Sequence, residues 1–124
     1  MRVVPQSKVP KRDYCRAAEC RFSLDELASR LGAQPQSFKL AGRNSGGYRT
    51  VWLELSSGRF ASLDQMDFRS SVVEIGLELE QGEWFREQDL TEVIAALGLD
   101  PDYVKRIRGE FKWVLDESSN QRGA

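Results

Sequence analysis

The acidic residues Glu74, Glu78 and Glu80 are the side chains whose types and spacing most directly suggest chemistry. They lie in the segment SVVEIGLELE, where they alternate with apolar residues. In a β-strand this pattern places the three carboxylates on one face, with alternate residues roughly 7 Å apart, and the apolar side chains on the other. We therefore predict a row of exposed carboxylates, which would attract Lys and Arg side chains of a partner.

Two tryptophans are predicted to lie beside this acidic row, one on a neighbouring strand and one close to the turn that follows the row. Trp52 falls on the outward face of the predicted strand YRTVWLEL, and Trp84 follows a predicted turn at Gln81 and Gly82. Aromatic side chains contribute much of the binding energy at protein interfaces. The predicted partner-binding residues are Glu74, Glu78, Glu80 and Glu83, with Trp52 and Trp84 as anchors. The alternative is a solvated sheet face whose acids only keep the protein soluble.

The charges of the chain are distributed unevenly, although the net charge is only −1. Residues 1–21 hold six Lys and Arg against two Asp and Glu, whereas residues 64–92 hold nine acids and two arginines. Such asymmetry indicates the charge of the partners and not the fold. It favours a basic protein as the partner of the acidic segment. Nucleic acid is the alternative partner, bound by the basic N-terminal residues together with Lys105, Arg106, Arg108 and Lys112.

The sequence contains no motif typical of catalysis, metal binding or phosphate binding. It has no histidine, and its two cysteines, Cys15 and Cys20, are too few for a four-ligand zinc site. The glycines of GRNSGGYRTVWLELSSGRFASL flank a predicted strand, whereas a phosphate loop precedes a helix. Asp64 and Asp67 are close enough in sequence to share a divalent ion, but a solvated polar turn explains them as well. We therefore predict a protein that is not an enzyme and holds neither a metal nor a cofactor.

Helix and strand signals follow one another in the order α-β-β-β-β-α-α. FSLDELASRLG contains a capping box, in which Ser23 precedes Glu26 by three residues, and REQDLTEVIAALGL has an apolar stripe that ends at Gly98. A third helix is predicted from Pro101 to Asp116, and four strand-like segments lie between the first two helices. We predict an α+β fold, in which an antiparallel sheet of about four strands has an N-terminal helix and two C-terminal helices packed on one face.

The chain of 124 residues is long enough for one hydrophobic core. Residues 1–21 show no periodicity and predict a basic, flexible arm; residues 22–116 predict a single α+β domain, and residues 117–124 a frayed tail. No apolar run reaches the roughly 18 residues that span a bilayer, and the N-terminus lacks the apolar middle of a signal peptide. We therefore expect a cytoplasmic protein without a membrane partner, and the oligomeric state stays open.

The segments VWLELSSGRFASL and VVEIGLELEQGEWFREQDLTEVIAALGL resemble small bacterial immunity proteins, which accompany secreted or contact-delivered toxins. The resemblance covers about residues 48–99 and implies a cytosolic inhibitor that plugs the active site of a toxin. Many such toxins are nucleases with basic clefts, so the resemblance also implies an acidic patch that mimics phosphates. The leading hypothesis is a non-enzymatic module that binds and neutralises a basic toxin. The alternative is a nucleic-acid-associated regulatory protein that uses the basic arm and the last helix.

Overall fold

The computed structural model describes residues 1–39, 47–66, 69–80 and 84–107, together with the backbone of residues 111–113. Within these ranges eight strands join in one antiparallel sheet, and two α-helices accompany them. The strands are β1 (Arg2–Val4), β2 (Asp13–Cys20), β3 (Gln36–Lys39), β4 (Gly47–Glu54), β5 (Phe60–Met66), β6 (Val73–Glu78), β7 (Val104–Arg106) and β8 (Phe111–Trp113). The helices are α1 (Leu24–Arg30) and α2 (Glu87–Leu97), and short 3-10 turns form at Gln6–Lys8 and Pro101–Tyr103.

Four long strands form the middle of the sheet in the order β4-β5-β6-β2. Two short strands, β1 and β3, pair with the outer edge of β4 at its two ends. In the same way β7 and β8 pair with the outer edge of β2. The register of β2 shifts between Arg16 and Ala18, which marks a β-bulge. The N-terminal part of the chain therefore supplies a strand that is paired on both sides.

One face of the sheet packs against both α-helices. Alternate residues of β4, β5 and β6 point to this face, as the period of two in their sequences predicts. Burying an apolar side chain of this size contributes about 1.5–3 kcal/mol, so this cluster is the main source of stability. Its largest fully buried members are Leu24 and Leu27 of α1, Leu53, Leu63, Val73, Ile75 and Leu77 of the sheet, and Leu90, Val93 and Leu97 of α2.

The two helices have the local signals that the sequence predicts for them. The hydroxyl of Ser23 accepts a hydrogen bond from the Glu26 N–H at 3.2 Å, which caps α1. Gly98, with a φ of 68°, ends α2 in the left-handed conformation that glycine adopts most readily. The predictions of both helices are confirmed.

The opposite face of the sheet is covered in part by the N-terminal segment. Val4, Tyr14, Trp52 and Phe60 form a second apolar cluster there, with Val9 packed against it. The Trp52 ring meets the Tyr14 ring edge-on with 5.3 Å between the centroids, and its indole N–H donates to the side-chain oxygen of Gln6. Residues 1–21 thus contain two strands, and the segment between these strands packs on the sheet. The prediction of a flexible arm is therefore wrong.

The prediction of about four strands and three helices is also wrong, although the α+β character remains. Of the third predicted helix, residues 101–103 form a 3-10 turn, and residues 104–106 and 111–113 form strands; its other parts from residue 108 on, like the tail 117–124, lie outside the described residues. Val104 and Ile107 are three residues apart, a spacing that fits a helix, but they are β-branched. The backbone groups at the edge of β2 need partners, and this tertiary pairing overrides the local spacing. In the described ranges, no helix has the length and apolarity needed to cross a membrane.

Candidate functional site

The predicted acidic row lies on the sheet face opposite the helices, but most of it is buried. Glu74 and Glu78 are each 6% exposed. The Glu74 carboxylate accepts a hydrogen bond from the Arg16 guanidinium at 2.5 Å, and the Glu78 carboxylate accepts from Arg12 at 3.1 Å. Glu78 also accepts from the backbone N–H of Phe60 at 3.1 Å. We call this region the ion-pair face, defined by Arg12, Arg16, Asp64, Glu74 and Glu78.

Asp64 is the third buried carboxylate of the ion-pair face. It lies on β5 directly opposite Glu74 on β6, and it accepts hydrogen bonds from the hydroxyls of Thr50 at 2.7 Å and Ser62 at 2.9 Å. Two carboxylates on neighbouring strands repel each other unless each has its own compensating partners. Here Arg16 compensates one and the two hydroxyls the other. The face is therefore a stabilised polar layer of the fold.

A metal site at Asp64 receives no support from its surroundings. The second residue of the candidate pair, Asp67, lies outside the described residues. Among the described residues, no three His, Cys, Asp or Glu side chains come together in a way that could hold a metal ion. Asp64 lies in a strand and is 6% exposed, so its placement in a solvated turn is wrong.

The remaining predicted contact residues, Glu80, Glu83 and Trp84, follow β6 in the sequence. Glu80 has a side chain 35% exposed and binds the Arg59 guanidinium at 2.9 Å, with Arg86 at 3.8 Å. Trp84 is partly buried against the main core, and its ring centroid lies 5.9 Å from that of Phe85. Glu83 lies outside the described residues.

The expectation that the strands expose Glu74, Glu78 and Trp52 to a partner is wrong for this structure. The N-terminal segment covers Trp52, which is 3% exposed. The carboxylates of Glu74 and Glu78 form ion pairs with arginines of the same chain. The alternation of the sequence identifies the face on which these residues lie, but it does not show what packs on that face. The role of these residues in binding stays a prediction. It requires that the N-terminal segment and the two arginines first move away from them.

The basic residues assigned to nucleic-acid binding are also distributed differently from the prediction. Lys105 and Arg106 lie on β7 and not on a helix. Arg108 lies outside the described residues, and Lys112 lies in β8. Three of the six basic residues of the N-terminal segment form ion pairs with glutamates of the chain: Arg2 with Glu54, Arg12 with Glu78 and Arg16 with Glu74. Nucleic-acid binding therefore stays a prediction. The flexible arm and the last helix, on which it relied, are not what the described residues form.

The two cysteine thiols are buried on β2, on the side of the main core. Burial raises the pKa of the Cys15 thiol to about 11, and that of Cys20 to about 11 as well. Since the thiolate is the reactive form, both side chains behave at neutral pH as small apolar groups.

A cleft of about 400 Å³ opens at one end of the sheet. It lies between residues 19–22 at the end of β2, Val72 before β6, and residues 102–105 at the start of β7. We call it the β2–β7 cleft. Its walls are apolar: Cys20 and Val72 are buried, and Phe22 and Val104 are partly buried.

The rim of the β2–β7 cleft is exposed and charged. Tyr103 is 73% exposed, more than the 43% of Met1 and the 41% of Val3, the other large apolar side chains exposed among the described residues. Within the ranges that the structure describes, Arg21, Asp102 and Lys105 form no ion pair. Tyr103 and these three charged side chains are therefore exposed and accessible to a ligand.

The sequence gives one signal that points to this cleft, which the helix assignment obscured. Asp100 and Pro101 favour a turn as well as a helix start, and the turn places the next aromatic residue, Tyr103, at a corner of the chain. Comparison of the chain with protein-family models, with curated proteins and with solved structures finds no match.

Proposed function

We propose that this chain acts by binding another protein and inhibiting it, as a cytoplasmic immunity protein neutralises its toxin. The observation that carries the proposal is the β2–β7 cleft with Tyr103 at its mouth, 73% exposed. Hot spots of protein interfaces are enriched in tyrosine and lie in pockets that a polar rim surrounds. Apolar walls, a charged rim and an exposed aromatic ring give the cleft these three properties.

The backbone holds Tyr103 in place although its ring is exposed. The Tyr103 N–H donates to the Asp100 carbonyl at 2.9 Å, and the Asp102 N–H donates to the Asp100 carboxylate at 3.0 Å. The next residue, Val104, begins β7 and lies opposite Cys20 on β2. A fixed backbone and an aromatic side chain with two rotatable bonds lose little conformational entropy on binding. This preorganisation supports a role of Tyr103 as an anchor.

The basic charge of the partner is part of the proposal and rests on carboxylates outside the ion-pair face. The side chains of Asp25, Glu26 and Glu87 are 68%, 52% and 63% exposed. Glu26 pairs with Arg30 and Glu87 with Arg106 at the surface, and such exposed pairs contribute at most about 1 kcal/mol. Asp25 makes a bidentate pair with Arg49, whose side chain is 30% exposed. Lys or Arg side chains of a partner can therefore compete for the carboxylates of Glu26 and Glu87 at small cost.

The proposal is tested by affinity capture from the source cells with three tagged baits: the wild-type chain, Tyr103→Ala and Val3→Ser. Val3 is the matched control, because it is an apolar residue, 41% exposed, on β1, which lies at the opposite edge of the sheet from β7. We expect one protein in stoichiometric amount on the wild-type and Val3→Ser baits and its loss from Tyr103→Ala. The purified partner should lose its activity when the wild-type chain is added. Capture of no stoichiometric protein, or equal capture by Tyr103→Ala, would overturn the proposal.

A further inference from the structure

The walls of the β2–β7 cleft suit an apolar side chain. Val72 is 9% exposed and Cys20 only 2%, and the Cys20 thiol is neutral because burial raises its pKa to about 11. Phe22 and Val104 complete the walls. The volume of about 400 Å³ lies at the lower end of the range of ligand pockets, about 300–1,000 Å³. The cleft therefore has room for one large side chain with its flanking backbone.

The rim of the cleft has a surplus of positive charge. Glu19 is compensated, because the Arg69 guanidinium lies 3.4 Å from its carboxylate. Among the described residues this leaves two cations without ion pairs, Arg21 and Lys105, against one carboxylate, Asp102. Both cations have long, exposed side chains that can adjust their conformation to contact a ligand. A carboxylate held at the rim would meet them with complementary charge.

We propose that the β2–β7 cleft receives an apolar or aromatic side chain of a peptide segment that bears a carboxylate beside it. The segment belongs to the bound protein, so its source rests on the proposed function. Tyr103 covers the inserted side chain, and Arg21 and Lys105 bind the carboxylate. A lysine or arginine side chain fits less well, because its charge would meet these two cations at the rim. A toxin that is basic as a whole can present such a segment locally.

Three capped peptides test this chemistry directly on the full-length chain: acetyl-Phe-Glu-Glu-amide, acetyl-Phe-Lys-Lys-amide and acetyl-Gly-Glu-Glu-amide. Each is titrated into the ¹⁵N-labelled protein and followed by the backbone amide signals. We expect the first peptide to shift residues 20–22 and 103–105 saturably, with a Kd of about 1 mM, and the other two to bind at least about tenfold more weakly.

Charge reversal at the rim sharpens the test. Lys105→Glu should weaken the binding of acetyl-Phe-Glu-Glu-amide about tenfold, and Lys8→Glu, the matched change of an exposed lysine in the 3-10 turn before β2, should leave it unchanged. Arg21→Glu serves as the second variant if the amide spectrum shows that Lys105→Glu does not fold.

The results separate this inference from the proposed function. If no peptide shifts these amides at about 10 mM, or if acetyl-Phe-Lys-Lys-amide binds as tightly as its acidic counterpart, the inference is overturned. If the protein capture nevertheless depends on Tyr103, the proposed function survives without it. If the acidic peptide binds as expected while no protein is captured, the chemistry of the cleft stands and the inhibitor function falls.

Discussion

The ion-pair face and the rim of the β2–β7 cleft are both charged. The charges of the face are paired within the chain, whereas three charged side chains of the rim form no ion pair among the described residues. On the ion-pair face Glu74 and Glu78 are 6% exposed, and each is bound by an arginine of the same chain. At the rim of the cleft Arg21, Asp102 and Lys105 are exposed, and none forms an ion pair within the described ranges. A high local density of acids in the sequence therefore does not identify the surface that is available to a partner.

The physical reason for this difference is the cost of removing a charge from water. A buried carboxylate destabilises the fold unless a cation or hydrogen-bond donors accompany it, so its partners are part of the fold. An exposed charge is already solvated and needs no partner. Residues such as Lys105 can thus keep their binding capacity for another molecule, whereas the partners of Glu74 cannot be displaced without a loss of stability.

The largest expected effect is that of Trp52→Ala on the ion-pair side of the sheet. Because Trp52 is 3% exposed and packs on Tyr14, its loss should lower the free energy of unfolding by about 3–5 kcal/mol. Urea denaturation followed by circular dichroism measures this, with Tyr103→Ala as the aromatic control that should change stability by less than about 0.5 kcal/mol. A Trp52→Ala variant of normal stability would contradict the buried placement and restore Trp52 as an accessible anchor.

Removing one cation of the ion-pair face should have the next largest effect. Arg16→Gln leaves the Glu74 carboxylate, whose side chain is 8% exposed, without its cation, and should cost about 2–3 kcal/mol of unfolding free energy. The matched control is Arg106→Gln, because Arg106 pairs with Glu87 at 2.7 Å with both side chains more than half exposed. We expect the control to change stability by less than about 0.5 kcal/mol. Equal losses in the two variants would show that the two pairs are equally solvated.

Substitution of Tyr103 in the cleft should change the affinity for the partner and leave the free energy of unfolding nearly unchanged. With the captured protein as the ligand, Tyr103→Ala should raise the Kd about 30-fold, which corresponds to a hot spot of about 2 kcal/mol. Tyr103→Phe keeps the ring and should stay within about threefold of the wild-type chain. Calorimetric titration measures both values. If Tyr103→Phe raises the Kd as much as Tyr103→Ala does, the binding energy comes from the hydroxyl. The role of the aromatic ring as an anchor would then be contradicted.

The smallest expected effect comes from the two thiols in alkaline solution. Burial raises the pKa of Cys15 and Cys20 from 9.0 to about 11, so between these values the unfolded chain loses the thiol protons and the folded chain keeps them. Stability should therefore decrease as the pH rises through this window. Urea midpoints at about pH 8 and about pH 10 measure the decrease, which should be shallower in the double variant Cys15→Ala/Cys20→Ala. An equal slope in both proteins would contradict the raised pKa values.

Local signals in the sequence were sufficient for α1, α2 and the hairpin of β4 and β5, but they also predicted a third helix where the structure has a 3-10 turn and strands. The cap at Ser23, the glycine at Gly98 and the tight turn at Ser57 and Gly58 each determine the backbone within a few residues. Strands β1, β2, β7 and β8 could not be predicted in this way, because they form on partners far away in the chain: β2 pairs with β6. In β2 the bulge also breaks the period of two, so that Ala17 and Ala18 are both buried and no alternation is visible.

The candidate site shows the same limit for side chains. Alternation placed Glu74 and Glu78 on the correct face of β6, but the arginines that bind them come from residues 12–16, which showed no pattern of their own. The spacing of Val104 and Ile107 predicts a helix that would include Tyr103. Its exposure follows from the pairing of β7 with β2, which involves Cys20 and its neighbours, more than 80 residues earlier in the sequence.

The position of β2 in the middle of the sheet has a consequence for synthesis on the ribosome. The three strands that pair with β2 are all made later, since β6 begins at Val73, β7 at Val104 and β8 at Phe111. At about 5–20 residues per second, β2 waits about 3–10 s for its first neighbour. During this time its backbone groups are open to pairing with other nascent chains. The yield of folded protein should therefore depend on translation speed between these two strands, and codons that slow it should increase aggregation.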